Sequence, residues 1–158
     1  MENNSLTPLD RGLLGLMRIR GAFAGGLILA AALAGEAVLH AEVDLPWGIL
    51  LGPALLIFLY LALWAPPRRY RAWGYGMDSD ELQVGRGVWV RVHTVVPLDH
   101  VQHIDLSQGP LERSLGICSL VLHTAGTLHS QIVVPGLTRD TAERMRDEIR
   151  GRIREEPA

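Results

Sequence analysis

Trp64-Ala65-Pro66-Pro67-Arg68-Arg69-Tyr70-Arg71 is the stretch on which the reading turns. An apolar tract ends there in an aromatic residue and a proline pair, and three arginines follow at once. Trp at a headgroup boundary, a helix stop and a cationic cluster together mark the cytoplasmic edge of a bilayer. Everything before it reads as membrane anchor, and a strand-rich domain of about 90 residues follows, near the usual size of one small domain.

Two apolar segments upstream are long enough to cross as helices. They cover residues 21–39 and 47–65, each close to the roughly 20 residues that a hydrocarbon core of about 30 Å requires. The first is followed by a second span and lacks a small-residue cleavage pattern, so a removed signal peptide is not expected. Arg11, Arg18 and Arg20 precede the first span, and Arg68, Arg69 and Arg71 follow the second. The connecting segment from His40 to Pro46 carries no Arg or Lys. By the positive-inside rule both termini are expected in the cytoplasm and the short loop outside, with Arg68, Arg69 and Arg71 against the membrane surface. Small residues four apart, Gly21 with Gly25, Ala22 with Gly26 and Ala31 with Gly35, suit close packing of the two helices. Glu36 is the one acid inside a span. It reads either as an interfacial, snorkelling side chain or as a proton or ion relay, because a carboxylate in hydrocarbon is costly. Leu9, Leu13, Leu14, Leu16 and Met17 interleave with arginines over residues 1–20, the pattern of a short interfacial helix.

Beyond the arginines the apolar period changes to two. Leu82 and Val84 alternate with Glu81 and Gln83; after a turn at Gly85-Arg86-Gly87, Val88, Val90, Val92 and Thr94 alternate with Trp89, Arg91 and His93. Further strands are expected at Tyr70 to Tyr75, Val101 to Ser107, Cys118 to Thr124 and Leu128 to Val134, the last two joined through Ala125-Gly126-Thr127. Thr138 or Asp140 can cap a closing helix in which Ala142, Met145, Ile149 and Ile153 share one stripe. The expected fold is therefore an α+β membrane protein: a two-helix transmembrane hairpin over residues 21–65, then an antiparallel barrel or sandwich of six or seven strands, capped by a C-terminal helix, over residues 68–153. Residues 154–158 form a tail. This strand and helix order is that of a pleckstrin-homology (PH) domain.

The run Val96-Pro97-Leu98-Asp99-His100-Val101-Gln102-His103-Ile104-Asp105-Leu106-Ser107-Gln108-Gly109-Pro110-Leu111-Glu112-Arg113-Ser114-Leu115-Gly116, continued by Leu120 to Gly126 and by Val134-Pro135-Gly136-Leu137, resembles the signature of bacterial PH-like membrane proteins, the YdbS-like group. The resemblance covers most of residues 70–152, and the preceding helical hairpin is also similar. It implies a non-enzymatic PH-like module. Within the signature, Gln108-Gly109-Pro110 breaks a strand, residues 111–115 suit one helical turn, and Gly116 lets the chain leave it. Gln108, Glu112 and Arg113 are either parts of that architecture or a polar binding surface. Eukaryotic PH domains hold phosphoinositide head groups with Lys and Arg between their first two strands. Here that loop is Gly76-Met77-Asp78-Ser79-Asp80-Glu81, whose acids repel phosphate.

Composition narrows the functional classes. Residues 68–158 hold 12 Arg and 12 Asp plus Glu, so the domain has no formal net charge and nucleic acid is not an expected partner. Every basic side chain is Arg. The single Cys118 lies in an apolar run and reads as a buried thiol. His93, His100, His103, His123 and His129 crowd one region, and the His100/His103 spacing occurs in metal sites. Three residues apart on a strand, however, side chains face opposite ways. There is no His-Glu-x-x-His frame, no phosphate-binding glycine loop and no nucleophile elbow, so no catalytic residue, metal or cofactor is assigned. The expected role is a membrane-anchored scaffold whose partners are the bilayer and a membrane protein or a second copy. A His-based metal sensor or enzyme and anionic-lipid recognition stand as alternatives.

Overall fold

A computed structural model describes residues 6–43, 46–124 and 131–155. The chain forms two compact units, one from Met1–Leu13 with Arg69–Ala158 and one from Leu14–Arg68.

The smaller unit holds the apolar helices. Helix α1 runs Arg11–Glu42, and a second helical stretch runs Leu51–Arg71, both long and apolar enough to cross a membrane. Phe23, Leu27, Leu33, Leu55, Leu56 and Leu63 lie exposed along them, the surface expected of helices solvated by lipid rather than packed as a soluble core. The segment expected as a separate interfacial helix is the start of α1 itself. Small residues bring the helices together as their spacing predicts. A Cβ on Gly21 would overlap the Leu61 carbonyl, and one on Gly25 would stand 2.9 Å from Phe58 Cα. Gly26 faces open space, whereas a Cβ on Gly35 would stand 3.3 Å from Leu50 Cδ1, so the close approach includes Gly21, Gly25 and Gly35 but not Gly26.

The second stretch does not stop at the proline pair, contrary to the expectation from Pro66-Pro67. It is built from α2 (Leu51–Leu59), a π-helical turn (Tyr60–Trp64) and α3 (Ala65–Arg71). A proline inside an α-helix loses an amide bond and crowds the carbonyl four residues back. Here the Ala65 N–H reaches back five residues to the Tyr60 carbonyl, so the wider turn resets the backbone just before the prolines. The helix then passes through them to Arg71, closing with Ala72 N–H to Arg69 O and Trp73 N–H to Tyr70 O. Consequently the first strand begins at Gly74 rather than at Tyr70.

Among the described residues the larger unit carries six strands in two antiparallel three-stranded sheets. Strands β1 (Gly74–Met77), β2 (Glu81–Arg86) and β3 (Val92–Pro97) form the first sheet in that order, and a 3-10 turn (Leu98–His100) leads to the second. The second sheet orders β4 (Val101–Ser107), β5 (Ile117–Thr124) and β6 (Gln131–Thr138), with the short helix α4 (Pro110–Ser114) between β4 and β5. Helix α5 (Arg139–Glu155) closes the chain. The turn proposed at Ala125-Gly126-Thr127 and the start of its following strand lie outside the described residues. Central strand β5 is buried continuously from Ile117 to Leu122, and Leu82, Leu120, Val134, Leu137 and Ile149 complete the core. Ala142, Met145 and Ile149 form the buried stripe of α5, as their spacing predicts; the Ile153 side chain lies outside the described residues. Of the two candidate caps the structure selects Thr138, whose Oγ1 accepts the Thr141 N–H at 3.3 Å.

The β2–β3 hairpin turns later than Gly85-Arg86-Gly87. Gly85 and Arg86 pair with His93 and Val92, and the loop occupies residues 87–91. Gly87 makes this possible, with φ +109° and the Val90 carbonyl where a Cβ would be. Val88 and Val90, expected on a buried face, are therefore exposed, and Trp89 at the tip is 92% exposed.

The N-terminal segment also belongs to this unit. Thr7 pairs with Tyr75 in an antiparallel bridge, and Leu9 and Leu13 are buried. Asp10 N–H donates to the Gly136 carbonyl at 2.9 Å, and Asp10 Oδ1 accepts the Gly12 N–H at 2.8 Å at the start of α1. The docking surface is a bulge in β6: Cys118 pairs with Leu137 and Leu120 with Val134, so β6 carries one residue more than β5. Gly136 takes φ +65° there, as bulges of this kind require.

Candidate functional site

The signature turn is built by side chains that bond within it. Gly109 precedes α4 and Pro110 begins it, where a missing N–H costs nothing. Glu112 Oε2 accepts the Gly109 N–H at 2.7 Å, and its Oε1 accepts the Ser119 hydroxyl at 3.2 Å, tying the turn to β5. Gln108 Nε2 donates to the Ile117 carbonyl at 2.8 Å. Gly116, at φ +69°, lets the chain reverse into β5. Gln108 and Glu112 thus hold a rigid corner, while Arg113 and Leu111 point outward, Leu111 being 44% exposed. The corner has no catalytic set. It offers one cation beside one apolar side chain.

Arg68, Arg69 and Arg71 are all exposed on the last helical turns before the strands. The Arg68 guanidinium lies 4.0 Å from the centre of the Trp64 ring, one turn earlier. That pairing places a cation over an amphipathic aromatic, as suits a headgroup boundary.

The described histidines of the expected cluster divide among three places, with His93 on β3 in the first sheet, opposite Gly85, apart from the rest. His100 sits on the 3-10 turn and pairs with neighbouring Asp99 at 2.9 Å, so it does not share a strand with His103. His103 lies opposite His123 across β4 and β5, with ring centres 5.9 Å apart. Asp105, two residues along and on the same face, meets His103 Nε2 at 2.9 Å and His123 Nε2 at 3.3 Å. Period-two spacing of His103 and Asp105 was the available signal for that contact; the His100/His103 spacing was not. Among the described residues no group of three His, Cys, Asp or Glu has an arrangement that would hold a metal ion. His129 lies outside them.

Glu36 has a structural partner that its sequence neighbours do not reveal. It is buried, and both carboxylate oxygens accept backbone amides from the start of the second helical stretch: Oε1 from Gly48 and Ile49, the latter at 3.0 Å, and Oε2 from Leu51 at 2.9 Å. The first amides of a helix have no partner within it, and its N-terminal dipole favours an anion. An acid from one helix thereby caps the next, and Gly48, at φ +104°, lets the turn present its amides.

Cys118 is buried in β5, with Sγ 3.6 Å from the Leu137 carbonyl. Burial pushes its thiol pKa up and the Glu112 carboxylate adds to the effect, against a smaller opposing pull from Arg139. A protonated, shielded sulfur is a poor nucleophile.

Residues far apart in sequence also line an open cleft of about 440 Å³ in the larger unit. Leu9, Asp10, Tyr70, Tyr75, Thr138 and Thr141 contribute to it, and the Tyr70 hydroxyl donates to the Leu9 carbonyl at 2.5 Å. No local motif announces this cleft, because it exists only once the N-terminal segment has docked.

The model of the bacterial PH domain family matches residues 23–153, taking in α1 from Phe23 onward, the second helical stretch, all six strands and most of α5. Among curated proteins, the UPF0699 transmembrane protein YdbS of Bacillus subtilis (strain 168) is 34% identical over 100 residues, which cover 63% of this chain. The chain spans 58% of that relative's length. No solved structure matches it.

Proposed function

This chain belongs to the bacterial PH domain family, and from that premise we propose that it is a membrane-anchored, non-enzymatic scaffold whose cytoplasmic domain docks another membrane protein through the α4 corner. The observation that carries the reading is the corner itself: Gln108 and Glu112 brace it from within, and Leu111 and Arg113 face out. Arg113 has no acidic side chain paired with it among the described residues, so a partner surface carrying a carboxylate beside an apolar pocket fits it. A rigid corner lowers the entropy lost on binding.

Membership of residues 6–13 and 69–155 in one unit supports an even number of crossings, with both flanks of the hairpin on one face of the bilayer. Three arginines before the first span and three after the second favour the cytoplasmic face of a bacterial inner membrane. Arg68, Arg69 and Arg71 then rest against anionic lipid.

The test is crosslinking in cells followed by isolation in mild detergent and mass spectrometry, with Arg113→Glu as the probe. The variant should keep the thermal stability of the parent and lose the crosslinked membrane protein. A parent that repeatedly returns alone, or an Arg113→Glu chain that retains every crosslink, overturns docking at this corner. One further surface has its own observation: β3 is an edge strand with Val92 and Val95 exposed, open to strand addition. Val95→Lys, rather than Arg113→Glu, would abolish the crosslinks in that case.

A further inference from the structure

The β2–β3 hairpin ends in an exposed apolar tip between two cations, and from its place in the sheet we infer that this tip, Val88-Trp89-Val90 flanked by Arg86 and Arg91, inserts into the interface of an anionic bilayer as a third point of membrane attachment. The inference is independent of the α4 docking reading and rests only on the anchorage of the chain by its helices.

Burial is the first argument. Trp89 is 92% exposed, Val90 74% and Val88 44%, whereas the same hairpin buries Leu82, Val84 and Val96 almost fully. A tip shaped only to reverse the chain would favour small polar residues, as turns in water do. Three consecutive apolar side chains in water instead mark a surface that is covered by something.

Topology identifies the cover. Gly74 at the start of β1 pairs with Gly85 near the end of β2, so the tip begins level with the point where the chain enters the sheet. That entry lies three residues beyond Arg71, the last residue of the apolar helical stretch, a reach of about 10 Å at full extension. The opposite end of the same sheet carries Asp78 and Asp80. The first sheet is thus polarised. Its end nearest the helix exit bears Arg86, Trp89 and Arg91, and its far end bears acids.

Chemistry selects lipid rather than protein. Trp favours the headgroup layer because its indole has an apolar body and a polar N–H, and flanking arginines meet lipid phosphates. The covalent tether keeps the tip at high local concentration over the surface, so a weak interaction suffices.

The experiment uses the full chain in nanodiscs of phosphatidylcholine with phosphatidylglycerol. Cys118→Ala removes the native thiol, and Val90→Cys carries a nitrobenzoxadiazole label beside an intact Trp89; Asp80→Cys in the same background supplies the far-end control. The label at 90 should be quenched by nitroxide-bearing phosphatidylcholine and shielded from aqueous iodide, while the label at 80 shows the reverse. Trp89→Ser, or Arg86→Gln with Arg91→Gln, should take away most of the lipid quenching at 90. A label at 90 that behaves like the one at 80 overturns insertion. One that is shielded from iodide yet untouched by the nitroxide lipid also overturns it, since protein would then be the cover.

Discussion

Replacing Gly136 by Ala tests how the N-terminal segment is held. Two separate costs are expected. The residue sits at φ +65°, where an L side chain loses about 1–2 kcal/mol. A new Cβ would also stand 2.5 Å from Leu13 Cβ and 3.0 Å from its Cγ, and forcing a methyl into such a contact costs about 1–3 kcal/mol. Together they predict a loss of about 2–5 kcal/mol. In a Leu13→Gly background the neighbour's Cβ goes together with its outer carbons and the overlap is relieved, so Gly136→Ala should cost only about 1–2 kcal/mol beyond the penalty of Leu13→Gly itself. The difference, a coupling of about 1–3 kcal/mol at its upper limit, exceeds the roughly 0.3–0.5 kcal/mol scatter of independent sites. Pulse proteolysis of the full chain in mild detergent would measure all four corners of the cycle. Equal costs of Gly136→Ala in both backgrounds would refute the packing of Leu13 on the β6 bulge, and with it the account of residues 6–13 as part of the strand-rich unit.

The Glu36 cap and the Cys118 thiol give two further expectations. Glu36→Gln keeps one oxygen acceptor and Glu36→Ala keeps none, so heat resistance of the full chain in detergent should fall in the order parent, Gln, Ala; an Ala variant as resistant as the parent would remove the capping account. Because burial raises the Cys118 pKa, the unfolded chain releases this proton first as pH climbs. Stability is unaffected by the group below the ordinary thiol range and is lost as pH rises above it. Cys118→Ser should therefore flatten the alkaline slope of a stability–pH profile, and an identical slope in both proteins would argue against a shielded thiol.

Much of the fold could be read from local pattern. Val101–Ser107 appears as a strand with its expected limits, the α5 stripe follows its 3.6-residue spacing, and Gly21 and Gly25 meet the facing helix. Each of those signals is carried by the residues that form the element. The features that escaped depend on partners elsewhere. Pro66-Pro67 reads as a stop, yet a π turn set by the preceding backbone carries the helix through it. Val88 and Val90 alternate as a strand would, but Gly87 turns the chain before they can pair. Leu9 and Leu13 have the look of an interfacial helix because the β6 bulge that covers them lies far along the chain. At the signature corner the residue types were legible and their bonds were not: Glu112 reaches Ser119 and Gln108 reaches Ile117 only after β5 has folded back.

The bond between Asp10 and Gly136 also bears on how the protein is made. At about 5–20 residues per second, the ribosome delivers the two partners roughly ten seconds apart, and both hydrophobic helices emerge in between. Residues 6–13 must therefore wait unlatched while both apolar helices emerge, and the larger unit can close only after translation has passed β6. Assembly is in this way timed to follow the emergence of both helices, so a chain cut short before β6 would leave Leu9 and Leu13 uncovered, the kind of surface that quality-control proteases recognise.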